Sequence, residues 1–333
     1  MTDLSPDDEI AALLALDALA PGEQVDAGPP ARELPSGLAD AAALLAEPTA
    51  IEPPRELRAA TLARAVSGRP AGRPVDAARP CDPLAAFDRT VTDLDYLLRS
   101  LTDPEWNTPA HPEHGRVRDL VAHLVGVERL VLRWLDPDDV VPELPDHVAA
   151  TRSVVAELAG TDPRDVARQW HEGARAVAAA AVGDGGRMVA FHDLTISVDQ
   201  LLAMRTGELW AHAIDICQAT GRPLPQLDME RMAMLCNELV AAMPLVLAYR
   251  GSSMPGRAAR VVLTGPAGGT FTVPLALEEH DVADPEVTIV ADAAGFCQVA
   301  IRRLRPDQLD AAIEGDPALG NLVLTSIDAL ARD

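Results

Sequence analysis

"SVDQLLAMRTGELWAHAIDICQAT", residues 197–220, decides how the chain is read. Its apolar residues recur with helical spacing, and Gly221, directly after it, suits the C-cap of a helix ending at 220. Inside this otherwise apolar segment stand Glu208 and His212. Four residues are close to one helical turn, so the carboxylate and the imidazole point the same way. A carboxylate buried without a compensating charge is strongly unfavourable, so Glu208 needs a cation or a metal.

A second histidine stands on another apolar stretch, "RVRDLVAHLVGVERLVLRWL" (116–135), at His123. One His from this helix and the Glu208/His212 pair from the other can meet in the core of a bundle. Two imidazoles and one carboxylate make a three-ligand zinc site whose fourth position is open to water or substrate. Two plainer readings stay open on spacing alone: His123 as a hydrogen-bonded core histidine, and Glu208 paired with Arg205 one turn earlier.

The surrounding sequence supplies the bundle. Residues 82–101, 146–160, 162–183 and 228–250 read as further helices, joined by loops short enough for antiparallel neighbours. After residue 251 the period changes to alternation. "ARVVLTG" (259–265), "GTFTVPLAL" (269–277) and "EVTIVAD" (286–292) read as strands between Gly/Pro turns, followed by helices over 293–304 and 316–332. Residues 1–80 are different again: short Ala-rich helical patterns, then a Pro/Gly/Arg linker, "SGRPAGRPVDAARP" (67–80). The expected division is a helical module with linker over 1–80, a helical bundle over 81–250 and a small α+β domain over 251–333.

The formal net charge of −23 excludes non-specific binding to nucleic acid or to an anionic membrane. Cys81, Cys217, Cys236 and Cys297 form no C-x-x-C pair, which argues against a disulfide framework and a zinc finger. The first residues lack the basic start of a signal peptide, and no apolar run reaches membrane-spanning length without a charge. A cytoplasmic, soluble protein is expected.

"WNTPAHPEHGRVRDLVAHLVGVERLV" (106–131) and "RTGELWAHAIDICQATGRPLP" (205–225) resemble the two signature stretches of the mycothiol-dependent maleylpyruvate isomerase family. The resemblance implies a mostly α fold, a DinB-like four-helix bundle followed by a sterol-carrier-like α+β domain. It also implies zinc, or another divalent metal, held by His123, Glu208 and His212, with mycothiol as thiol cosubstrate. The family has an arginine near the position of Arg302 and Arg303 that serves the active site from the second domain, so Arg302 is taken as the candidate catalytic residue. Asp215, one turn beyond His212, would orient its imidazole or serve an ordinary surface role. The chain departs from the family where "HPEHG" (111–115) replaces a Gly-Trp pair, putting the family's substrate in doubt; His111 and His114 there are extra ligands or bystanders.

The chemistry implied is an isomerase or S-transferase reaction on a small electrophile. A metal-bound thiol is a thiolate at neutral pH, the nucleophilic form. Cys217 is the nearest protein thiol, but its spacing turns it from the Glu208/His212 face, so the thiol is expected from solution. Residues 1–80 resemble the sigma-binding region of zinc-free anti-sigma factors. The alternative function is therefore a cytosolic anti-sigma-like regulator, with a sigma factor as partner and the zinc/thiol domain as sensor.

Overall fold

A computed structural model describes residues 78–139, 147–191, 194–265, 267–277 and 284–330. All of them belong to one compact unit, residues 59–333. The expected helical module and its sigma-factor partner concern residues 1–77 almost entirely, which lie outside the described residues.

The first half is a helical bundle. Helix α1 (Pro83–Arg99) starts where Asp82 Oδ1 accepts the backbone N–H groups of Leu84 and Ala85, with Pro83 in the first turn. A short helix α2 (Asp103–Trp106) leads into a hairpin of β1 (Pro109–His111) and β2 (Gly115–Arg116). Then come α3 (Val117–Leu135), α4 (His147–Leu158), α5 (Pro163–Ala180), a second hairpin of β3 (Met188–Phe191) and β4 (Leu194–Ser197), and α6 (Val198–Thr220). Helix α1 packs on α6 and α5, while α3 packs on α5 and α4. The shared core is aliphatic with a few large rings, among them Phe87, Trp106 and Trp170.

Helix α6 has the termini its sequence requires. Ser197 Oγ accepts from the Gln200 N–H at 3.1 Å while Gln200 Oε1 accepts from the Ser197 N–H at 2.9 Å, closing both ends of a capping box. At the other end Gly221 takes φ +67°, the left-handed conformation that ends a helix without strain in a glycine.

The expected single helix over 228–250 is two: α7 (Met229–Ala241) and α8 (Met243–Tyr249), bent by 46°. Pro244 explains the break, because it has no N–H for the preceding turn and its ring collides with the carbonyl four residues back. Among the described residues no single helix is long and apolar enough to cross a membrane. Helices α7 and α8 meet that test only as a bent pair, and their Met232, Leu235, Met243 and Leu247 are buried in a second core.

That second core joins α7 and α8 to a four-stranded mixed sheet in the order β6-β5-β7-β8. Strands β5 (Ala258–Thr264), β6 (Gly269–Pro274) and β7 (Val287–Asp292) match the three expected runs, with β5 antiparallel to β6 and parallel to β7. The fourth strand, β8 (Ala311–Gly315), was not expected: its short, half-polar "AAIEG" has little strand signature. Helices α9 (Ala293–Ala300) and α10 (Pro317–Ser326) pack on the sheet. The fold is thus a mostly α bundle followed by a small α+β layer.

Candidate metal centre

Three chain segments converge at one end of the bundle. His123 comes from the middle of α3, His212 from α6, and His114 from the turn between β1 and β2. All three are buried, at 1%, 0% and 8% exposure. Their ligand atoms lie within 4.8 Å of one another, the one such histidine, cysteine or carboxylate group among the described residues. His114 reaches it because Gly115 takes φ +79° in the hairpin, folding the turn back over α3. Its ring stacks on His123, centroids 3.9 Å apart, and stands edge-on to His212 at 5.3 Å. His111 stacks on the outer side of His114 at 4.6 Å.

Neighbours fix the orientation of two of the rings. Thr151 Oγ1 of α4 is 2.7 Å from His123 Nδ1, and Asp215 Oδ2 is 3.1 Å from His212 Nδ1. The Asp215 carboxylate can only accept, so it places the proton on His212 Nδ1 and gives Nε2 as the nitrogen that could coordinate; at His123 the Thr151 hydroxyl produces the same arrangement when it accepts from Nδ1. Tetrahedral zinc at about 2.0–2.1 Å from nitrogen needs ligand atoms about 3.3–3.4 Å apart, so small ring rotations close the observed cluster on a metal. The residues fit a divalent ion of the zinc type, for which neutral imidazole is a preferred donor.

Asp215 has a second partner. Arg303, from the turn after α9, donates Nη2 to Asp215 Oδ2 at 2.6 Å, and both side chains are more than nine-tenths buried. Burial pushes the Asp215 carboxyl up, but His212 and Arg303 together outweigh it and hold the group below its ordinary range. Arg302 is turned elsewhere: its Nε donates to the Asp328 carbonyl at 3.2 Å, and the residue sits at φ +58°. Of the two arginines, Arg303 is the one tied to the histidine cluster.

Glu208 stands beside the cluster, its Oε1 3.8 Å from His123 Nε2, and pairs with Arg205 on the same helix. Arg205 also donates Nη2 to Glu128 Oε1 of α3 at 2.7 Å, with both side chains at 2% exposure or less. One guanidinium thus serves two carboxylates. Burial opposes the charge of Arg205, but the two glutamates outweigh it and raise its pKa further. Burial also pushes Glu128 up; Arg205 counters this only in part, and the like charge of Glu208 adds to the rise. The expected ligand His123 is therefore close to both His212 and Glu208, while His114 completes the group of three.

No cysteine belongs to this group. Cys217 is buried against another groove with Arg222, and burial pushes its thiol up. Cys236 and Cys297 lie sulfur to sulfur at 3.6 Å inside the second core.

Residues 87–217 match the family described as Mycothiol maleylpyruvate isomerase N-terminal domain. The chain is 24% identical over 235 residues to the uncharacterized protein Rv0036c of Mycobacterium tuberculosis, covering 68% of this chain and 87% of that protein. It is 27% identical over 158 residues to the uncharacterized protein Rv0738 of the same organism, covering 46% of this chain and 76% of that protein. The crystal structure of the mycothiol-dependent maleylpyruvate isomerase aligns at 17% identity with a TM-score of 0.48, covering 69% of this chain and 91% of that one.

Proposed function

We propose that the chain is a metal-dependent protein of the mycothiol-using type, an isomerase or S-transferase that activates a low-molecular-weight thiol against a small electrophile. The observation that carries this reading is the buried convergence of His114, His123 and His212, two of them oriented through Nδ1, inside a region that matches a thiol-dependent isomerase domain. The ligand set proposed here takes His114 in place of Glu208, whose carboxylate is committed to Arg205. A divalent metal in this set supplies a Lewis-acid position at which a thiol is held as the thiolate.

The chain's own residues do the rest. Asp215 holds His212 in the tautomer that presents Nε2, and Thr151 fixes the ring orientation of His123. Glu208, paired with Arg205 and 3.8 Å from His123, stands where it would take the proton that a bound thiol gives up. The burial of the three histidines would limit water at a bound thiol.

The test is metal analysis joined to a thiol assay. Purified protein is expected to hold one zinc, and His114→Ala, His123→Ala and His212→Ala each to lower that stoichiometry. Thiol-dependent turnover should survive replacement of all four cysteines by Ala or Ser. Full zinc content in the three histidine variants would refute the site, and turnover without added thiol would refute the chemistry.

A further inference from the structure

A half-open cavity of about 200 Å³ adjoins the site, and Arg205, Gly207, Glu208 and Ala211 of α6 form one wall. The opposite walls come from Trp134 of α3, Phe191 of β3, Leu235 and Leu239 of α7 and Ile301 after α9. Trp134 and Phe191 meet edge to face, centroids 5.0 Å apart, giving the cavity a rigid aromatic end. Glu208 belongs both to this wall and to the neighbourhood of His123, so the cavity meets the cluster at that carboxylate, while the three histidines themselves are not among its lining residues.

The charges around it select what can enter. Among the described lining residues the charged groups are Arg205, Glu208 and Glu238. Arg205 is already shared by Glu128 and Glu208, so its charge is more than neutralised before a ligand arrives. Among the described lining residues an anion would meet no protein cation that is not already paired, and it would face carboxylates across apolar walls. Burying a carboxylate on such terms costs several kcal/mol. Burial also pushes the Glu238 carboxyl up, toward the uncharged form that an apolar wall favours.

We propose that this cavity is the seat of the electrophile and that it selects an uncharged, largely apolar molecule rather than a small dicarboxylate. A cavity of about 150 Å³ with an apolar lining holds benzene, so the space here suits one or two fused rings or a chain of about ten carbons. The proposal rests on the thiol-and-metal reading only for calling the occupant an electrophile; the preference for an uncharged occupant stands on the lining itself.

The test uses the full chain loaded with zinc and the two-ring fluorophore 1-naphthylamine, which is uncharged at neutral pH. The probe is expected to bind saturably, to be displaced by 2-methylnaphthalene, and to resist 2-naphthoate by a factor of about 100 or more in affinity. Ala242→Trp, which fills the cavity from α7's end, should abolish probe binding while zinc content stays at one. Leu239→Arg should raise affinity for 2-naphthoate at least about tenfold by supplying the missing cation. Equal displacement by the two naphthalenes, or probe binding that survives in Ala242→Trp, would overturn the proposal. Loss of zinc with the probe's preference intact would sink the thiol-and-metal reading alone; zinc retained with 2-naphthoate preferred would sink this one alone.

Discussion

Gly126 of α3 lies so close to Thr151 of α4 that a methyl group on it would stand 2.8 Å from Thr151 Cγ2 and 3.3 Å from its Cα. Gly126 is three residues past His123, on the same face of the helix, and Thr151 is the residue that holds His123 Nδ1. The close crossing of two helices therefore sets the aim of a candidate ligand. Gly126→Ala is expected to push α4 outward, destabilising the fold by about 1–3 kcal/mol and weakening zinc binding together with it. Urea unfolding and zinc competition with a chromophoric chelator measure the two effects; unchanged zinc affinity would separate Thr151 from the site.

The neighbouring arginines after α9 separate by function. Arg303→Met removes the partner of Asp215 and loosens the tether on His212, so zinc affinity should fall by about 10-fold or more. Arg302→Met, which removes a contact with Asp328 rather than one with Asp215, should leave zinc affinity unchanged. Isothermal titration with zinc distinguishes them, and a larger loss in Arg302→Met than in Arg303→Met would reverse the assignment.

Arg205 is the cation paired with Glu128, which is 1% exposed. Arg205→Met should cost about 3–5 kcal/mol, because it leaves a carboxylate in the apolar interior. Adding Glu128→Leu to the same chain should restore part of the loss, since the fully buried carboxylate is then gone while the partly exposed Glu208 still lacks its arginine. Chemical denaturation of the two single variants and the double variant reads the coupling directly; additive losses would show that the pair does not act as one.

A fourth expectation concerns acid. Glu105 of α2 is held at about 2, below its ordinary 4.5, first by the hydrogen bond from Arg222 and then by Thr102. Arg222 grips both carboxylate oxygens, at 2.8 and 3.0 Å, and also the Ser100 hydroxyl and carbonyl. A depressed folded-state pKa stabilises the native state fully above the unfolded value. That contribution is lost as pH falls from about 4.5 toward 2. The melting temperatures of the native chain and of Arg222→Gln should therefore differ most at neutral pH and converge across this acid range. A difference that grew on acidification would contradict the assignment.

Much of the bundle was legible because helix signals are local. Asp82-Pro83 starts α1, the Ser197/Gln200 box starts α6 and Gly221 stops it, each within a few residues of sequence. The one-turn spacing of Glu208 and His212 was equally local. Contacts made by folding back were not. His114 sits in a polar turn that reads as exposed, and only the hairpin geometry at Gly115 brings it to 3.9 Å from His123. The choice between Arg302 and Arg303 was closed to sequence for a related reason. They are adjacent, and the backbone turn at Arg302 sends their side chains to different partners. Strand β8 escaped because its pairing with β7, rather than its own alternation, makes it a strand.

Asp215 and Arg303 touch at 2.6 Å, yet 88 residues of chain separate them. At a synthesis rate of about 5–20 residues per second, the carboxylate is made roughly 4–18 s before the guanidinium that neutralises it. Throughout that interval a growing polypeptide can carry all three histidines while His212 lacks its finished tether. The finished tether on His212 thereby waits for the turn after α9 to be made. A product cut short after α6 would keep the donors and lose the contact that aims one of them.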